Sequence, residues 1–387
     1  MNPSAHPLWL AGFRPFFALA CLSGLSLPVL WALIFTGAVS PTLTLFSVFQ
    51  WHAHEMFFGF GWAVLGGFLL TSTKNWVGIR GYHGAALMFL AAAWVFERAG
   101  MWFEGAWPPL LFRLSNNLFL VSIVAMILWT LVRHRGNDAY RRDNIFFLLL
   151  LPLFPVAKNL MLDADHAQTG WIMAIGLFRL AFLIMLERTL SQFMKGAFQV
   201  DILRNGVLDT AIKALGFALV FAGLLSPLIS AVLAVLLALL LSVRFAFWKP
   251  HLGLRRIDIG VMHLGYLAIV AQLLLDAIGQ FAHPAWVGTV SVHVFTFGAM
   301  GLVFPAMLIR ISKGHTGRKP AFDGFDKTAL RIMMLAFVLR VVAPQIHPGG
   351  YVLWVALAAA CWFACFALLG WRYIPFFMQP RVDGREH

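Results

Sequence analysis

The sequence predicts an all-α, polytopic membrane protein of about twelve transmembrane helices, and three observations carry that prediction. Of 387 residues only 12% are charged while 61% are hydrophobic, a balance outside the range of water-soluble domains. Mean hydropathy is +0.82, and the apolar residues come in separate runs of about 20, the length a helix needs to cross a hydrocarbon core of about 30 Å. Lys and Arg gather in alternate connections, the pattern that distinguishes cytoplasmic from translocated loops. A soluble enzyme is excluded. No hydrophilic stretch is long enough for a separate soluble domain, so residues 1–387 read as a single transmembrane domain.

The spans follow in order. The first, 16–36, comes after Arg14 and Pro15 with no small-residue cleavage site, so it reads as a retained helix and not a signal peptide. The second, 51–72, opens on WHAHEM and is separated from the third, 82–99, by Lys74 and Arg80. The fourth, 110–132, is followed by Arg133, Arg135, Arg141 and Arg142 before the fifth, 144–162. The sixth, 168–190, runs into Arg188, Lys195 and Arg204; the seventh and eighth are 208–225 and 227–247. Lys249, Arg255 and Arg256 precede the ninth, 258–279, and Arg310, Lys313, Arg318, Lys319 and Lys327 divide the tenth, 285–309, from the eleventh, 327–345. The twelfth, 350–374, leads to a tail with Arg372, Arg381 and Arg385. The other connections hold almost no basic residues, Arg98 and Arg113 excepted, so both termini are expected on the cytoplasmic side. The net charge of +13 therefore belongs to membrane-flanking loops and calls for no nucleic acid. Cys21, Cys361 and Cys365 form no CxxC and no CxxCH, so neither a disulfide framework nor covalent c-type haem is indicated.

Histidine is the informative residue, because an ionisable side chain is costly in hydrocarbon and tends to face a partner inside the bundle. Of 13 histidines, His6, His134, His251, His315 and His387 fall in cytoplasmic stretches, His166, His283 and His347 in external loops, and His83 at a helix mouth. His52, His54, His263 and His293 remain at membrane depth. On an α-helix His52 and His54 point about 200° apart whereas His52 and Glu55 share a face, so one metal cannot take both histidines unless the chain unwinds at Trp51–His52. Gly59 and Gly61 lie seven residues beyond His52 and His54, which leaves a bare face for a flat macrocycle or, on the plainer reading, for close helix packing. Sliding the second span onto the tenth, 239 residues apart, aligns His54 with His293, Phe58 with Phe297, Gly59 with Gly298, Val64 with Val303, Leu69 with Leu308 and Lys74 with Lys313. In so biased a composition this is a weak signal of internal similarity between two helices that enter from outside.

Neutral imidazole binds haem iron and copper alike. Two histidines from opposed helices would give a six-coordinate electron-transfer haem, one would leave a gas-binding side, and spacing does not choose. Lys158, Arg179, Arg340 and Glu187 are the other charges at membrane depth; haem propionates, a small anion or ion pairs within the protein would account for them. Pro152, Pro155 and Pro305 are candidate helix interruptions of the kind a solute path uses.

The combination of GFRPFF at 12–17, WHAHEMFFGF at 51–60, GFLLTSTKNWVG at 67–78, the His293 span running into ISKGHTGRKP at 311–320, and WRYIPFFMQPRVDG at 371–384 closely resembles the NnrS family over nearly the whole chain. The resemblance implies a twelve-helix bacterial inner-membrane protein with haem and copper, linked to nitric-oxide metabolism and nitrosative stress. By motif it implies His52, His54, Glu55, His263, His293 and His315 as candidate metal-site residues, without saying which metal each serves. The expectation is a haem protein, with copper as a second metal, nitric oxide and an electron donor as partners, His54 and His293 as the haem pair, His263 as a further cofactor contact, His52 and Glu55 as copper ligands or as groups that support the ligands, and Arg179 and Arg340 near propionates. No HH dipeptide occurs, which sets the chain apart from haem–copper oxidases. A secondary transporter or channel, and a metal-loaded sensor without turnover, are the competing readings.

Overall fold

A computed structural model describes residues 3–282 and 284–385; His283 and His387 lie outside the described residues. Among the described residues the regular structure is entirely helical. Twelve helices are long and apolar enough to cross a membrane: α1 (Phe13–Phe35), α2 (Val48–Val77), α3 (Ala85–Trp102), α4 (Pro109–Arg133), α5 (Asn144–Leu162), α6 (Ala167–Phe198), α7 (Gly206–Leu224), α8 (Pro227–Phe247), α9 (Ile257–Phe281), α10 (Val290–His315), α11 (Gly324–Ile346) and α12 (Pro348–Phe377). The chain is an all-α, multi-pass membrane protein. α5 and α8 have the bounds expected from hydropathy, whereas α2 and α6 run several residues further. Their last turns are polar but still satisfy their backbone groups internally, and α2 stops only at Gly78, in the left-handed conformation that glycine adopts without strain.

Local chemistry explains the starts and breaks. Ser47 and Gln50 form a reciprocal capping box at the head of α2, with Ser47 Oγ accepting from the Gln50 amide at 3.2 Å and Gln50 Oε1 from the Ser47 amide at 2.8 Å. Asp323 and Asp326 do the same for α11. α5 is broken at Leu151–Pro152 into two helical pieces, since Pro152 lacks a donor; Pro155 and Pro305 are carried within helices.

The chain divides into two compact units. The first comprises Met1–Ala167, Leu308–Ala321 and Phe363–His387, the second Gln168–Met307 and Phe322–Trp362. In the first, α2 is central, with 83% of its apolar window buried. A side chain at Gly12 would strike Leu70 and one at Gly67 would strike Phe16, so α1 and α2 approach as closely as small residues permit. In the second, α6 is equally buried whereas α7 is only 33% buried, and α8 turns Leu228, Val232, Leu236 and Leu239 outward, a lipid-facing surface.

Two helices widen into seven-residue π-helical segments, Glu55–Gly61 in α2 and Val294–Met300 in α10. Each begins directly after a histidine, His54 or His293, and the two are related by the same 239-residue offset as the weak sequence similarity. α3 and α11, and α4 and α12, also begin 239 residues apart. The similarity is thus part of a repeated three-helix run. A shorter π-helical turn, Val338–Val342, carries Arg340 in α11.

Candidate functional site

In the first unit the widened start of α2 faces α3, α4 and α5 across a buried ionic network. His54 is fully buried, with Nδ1 3.1 Å from Glu55 Oε1 and Nε2 3.2 Å from Asn116 Oδ1 and 3.4 Å from Glu97 Oε1. Glu97 also meets Lys158 and, at 3.0 Å, Arg98, whose Nε lies 3.3 Å from Glu55 Oε2. Lys158 donates in addition to the Asn116 carbonyl. Two carboxylates and two cations thus neutralise one another around the imidazole, as burial in a low-dielectric interior demands. The bare face at Gly59 is occupied by the Arg98 guanidinium, which a Cβ there would strike, and Trp94 Nε1 donates at 3.0 Å to the Gly59 carbonyl inside the π-helical segment. His52 turns elsewhere: its ring stacks on Trp31 with centroids 4.0 Å apart. The chain is not unwound at Trp51–His52, and Glu55 bonds to His54 where an α-helical face predicts His52 beside it, because the helix widens at Glu55.

At the other end of this unit four of the family-like motifs meet. Fully buried Arg14 donates to the carbonyls of Phe377 at 2.8 Å and Gln379 at 2.7 Å, and the Phe13 amide donates to Thr71 Oγ1 at 2.9 Å. Phe13 packs on the His315 ring, Arg381 donates to the His315 carbonyl at 3.1 Å, and Val382 donates to the Thr316 carbonyl at 3.1 Å. Arg381 grips Asp383 through two bonds, and these hold the Asp383 carboxyl down at about 2. The GHTGR turn therefore latches the tail. Sequence reading missed Arg14; its position before an apolar run with no acidic residue nearby was the available signal.

In the second unit His293 lies half-buried, with Nδ1 donating to the Thr289 carbonyl at 2.8 Å and Nε2 accepting from Arg340 Nη2 at 3.1 Å; Arg340 also donates to the Tyr351 hydroxyl at 3.1 Å. His263 is fully buried, with Nδ1 donating to the Ile259 carbonyl at 3.2 Å. Its Nε2 makes no well-formed hydrogen bond among the described residues, although the Trp248 backbone lies near the ring. Gly253 abuts that ring. In both histidines the Nδ1 bond leaves the lone pair on Nε2, the tautomer in which Nε2 could serve metal ligation, on His293 only once Arg340 turns aside. His54 does not fit it in this arrangement, having oxygen acceptors at both nitrogens. Among the described residues no three His, Cys, Asp or Glu side chains converge to hold a metal ion.

The remaining membrane-depth charges sort clearly. Glu187 is tied to Arg204, Lys213 and Arg244, and Lys158 to Glu97, so both are ion pairs within the protein. Arg179 differs, its recorded hydrogen bond running from Nη1 to Gln272 Oε1 at 2.9 Å. A family model described as NnrS protein matches residues 7–381. A comparison with curated proteins finds no match.

Proposed function

The chain belongs to the NnrS family, and on that premise we propose that it is a haem protein of the bacterial inner membrane, contributing to nitric-oxide metabolism or resistance to nitrosative stress. The observation that supports the cofactor is the setting of His263 and His293, each turning Nδ1 to the carbonyl four residues back on its own helix and so carrying its lone pair on Nε2, which Arg340 would have to release on His293. Bound haem supplies an iron that takes up nitric oxide. The chain's own part is to hold those imidazoles in the ligand tautomer, to exclude water from His263 by burial and, through Arg340, to offer a cation to a propionate. His54 in this reading is the hub of an ion network and not an iron ligand. Copper remains a second metal of the proposal, to which we assign no ligand set, and an electron donor would be a separate partner.

The test is the oxidised and reduced absorption spectrum of the purified full-length protein, with iron and copper analysis. The wild type is expected to show a Soret band that shifts or disappears in His293→Ala or His263→Ala and persists in His54→Ala. A wild type without iron or a Soret band removes the haem reading, and a band lost only in His54→Ala removes the ligand assignment. Loss of nitric oxide equal with and without the reduced protein would mark it as a binder or sensor.

A further inference from the structure

Arg179 of the second unit lines a cavity of about 350 Å³ between the ends of α6, α7, α8 and α9 that carry Gln168, Leu219, Ser230 and Gln280, with Val292 of α10 closing one side. Gln168 and Gln280 are exposed at its mouth, whereas Arg179 is only 4% exposed. Eleven residues of helix separate Gln168 from Arg179, so the guanidinium lies about 16 Å below the mouth. Its setting is specific. Nη1 donates to Gln272 Oε1, the Gln272 amide donates to Asp276, and Ser291 donates to the other Asp276 oxygen. Gln272 therefore stands between cation and carboxylate, and Asp276 spends both its oxygens on neutral donors. Asp276 acts on Arg179 across Gln272, without a direct ion pair between them among the described residues, and the buried Arg179 Nε has no hydrogen-bond partner. A membrane-embedded guanidinium with unused donors facing a cavity is costly unless an anion completes it.

We propose that this cavity is a binding site for a carboxylate carried on an apolar body, such as a medium-chain fatty acid, with the carboxylate on Arg179. Five N–H groups in a planar fork suit a carboxylate, and one of them is taken by Gln272. The space equals about a dozen waters, far more than a triatomic anion fills, and falls in the range of small-molecule sites. Its walls are mainly apolar, with Trp171, Ile172, Ile175, Leu219 and Leu273 lining it; Asp276 also borders the space, its oxygens engaged by Gln272 and Ser291, and Ala234 keeps the interior open. The site involves none of the histidines assigned to haem and stands apart from that reading.

The experiment measures binding of labelled octanoate to the full-length protein in lipid nanodiscs, with octanol and octylamine as competitors. Saturable binding of one octanoate per chain is expected, with competition by either neutral or cationic analogue at least tenfold weaker. Arg179→Gln and the cavity-filling Ala234→Phe should each weaken binding at least tenfold; if Arg179→Gln fails to fold, Ala234→Phe and the competitor series carry the decision. Absence of saturable binding, equal competition by octanol, or wild-type affinity in Ala234→Phe overturns the proposal.

Discussion

The segments around His54 and His293 share a register and differ in dress. Each histidine ends an α-helical stretch, is followed by a seven-residue π-helical segment, and lies beside an arginine from the next helix, Arg98 or Arg340. Around His54 the sequence adds Glu55, Glu97 and Lys158, whereas positions 294 and 336, the counterparts of the two carboxylates, are Val294 and Ala336. The same backbone frame therefore supports a closed ion network in one place and a singly guarded imidazole in the other. The lesson is that the π-helical widening positions a histidine, and the neighbours decide whether it sits inside a neutralised ion network or against a single cation.

Four measurements bear on that contrast, and a fifth on the tail. Lys158→Met leaves the buried network one cation short, with Arg98 alone against Glu55 and Glu97, and should cost about 3–5 kcal/mol, read as loss of folded protein in detergent melts. Adding Glu97→Leu should recover much of it, and a single variant no worse than Arg340→Met would break the contrast. Arg340→Met itself removes the hydrogen bonds that one cation donates to His293 Nε2 and to the Tyr351 hydroxyl, an effect of about 1.5–3 kcal/mol. Gly298→Ala should cost about 1–3 kcal/mol, because the new methyl meets the rigid Ala268 Cβ and the Phe337 ring. Gly59→Ala should cost less in stability, since it meets the movable tip of Arg98, but it should shift that guanidinium off Glu55, visible as altered exchange at α2 amides. The smallest effect belongs to the tail. Asp383 is depressed to about 2 by Arg381. Its folded-state value is lowered, so the clamp is complete above the ordinary aspartate value of 3.8 and fades as pH falls from there toward about 2. Amide protection of residues 379–385, taken as exchange relative to the intrinsic rate at each pH, should fall over that window in the wild type and stay level in Arg381→Gln.

Hydropathy and the placement of Lys and Arg were enough to count the spans and to bound α5 and α8, because lipid imposes length and polarity on each helix separately. The π-helical segments were not legible from periodicity, which assumes a uniform turn; that assumption sent Glu55 toward His52 when the widened helix turns it to His54. The 239-residue similarity nevertheless coincides with the two π-helical segments, each directly after His54 or His293. Partners were the hardest part. Lys158 and Glu97 are 61 residues apart and Arg14 and Phe377 363 apart, and in a single sequence nothing marks which buried cation answers which oxygen.

The latch between Arg14 and the carbonyls of Phe377 and Gln379 has a consequence for biosynthesis. A membrane insertase releases helices in chain order, so the first span waits in lipid through eleven others before its arginine meets the acceptors that bury it. Until then that guanidinium must rest at the bilayer surface or borrow a lipid phosphate. Premature termination near the end of translation would leave every span inserted and the opening one unmoored, a product that quality-control proteases should recognise by its N-terminal arm.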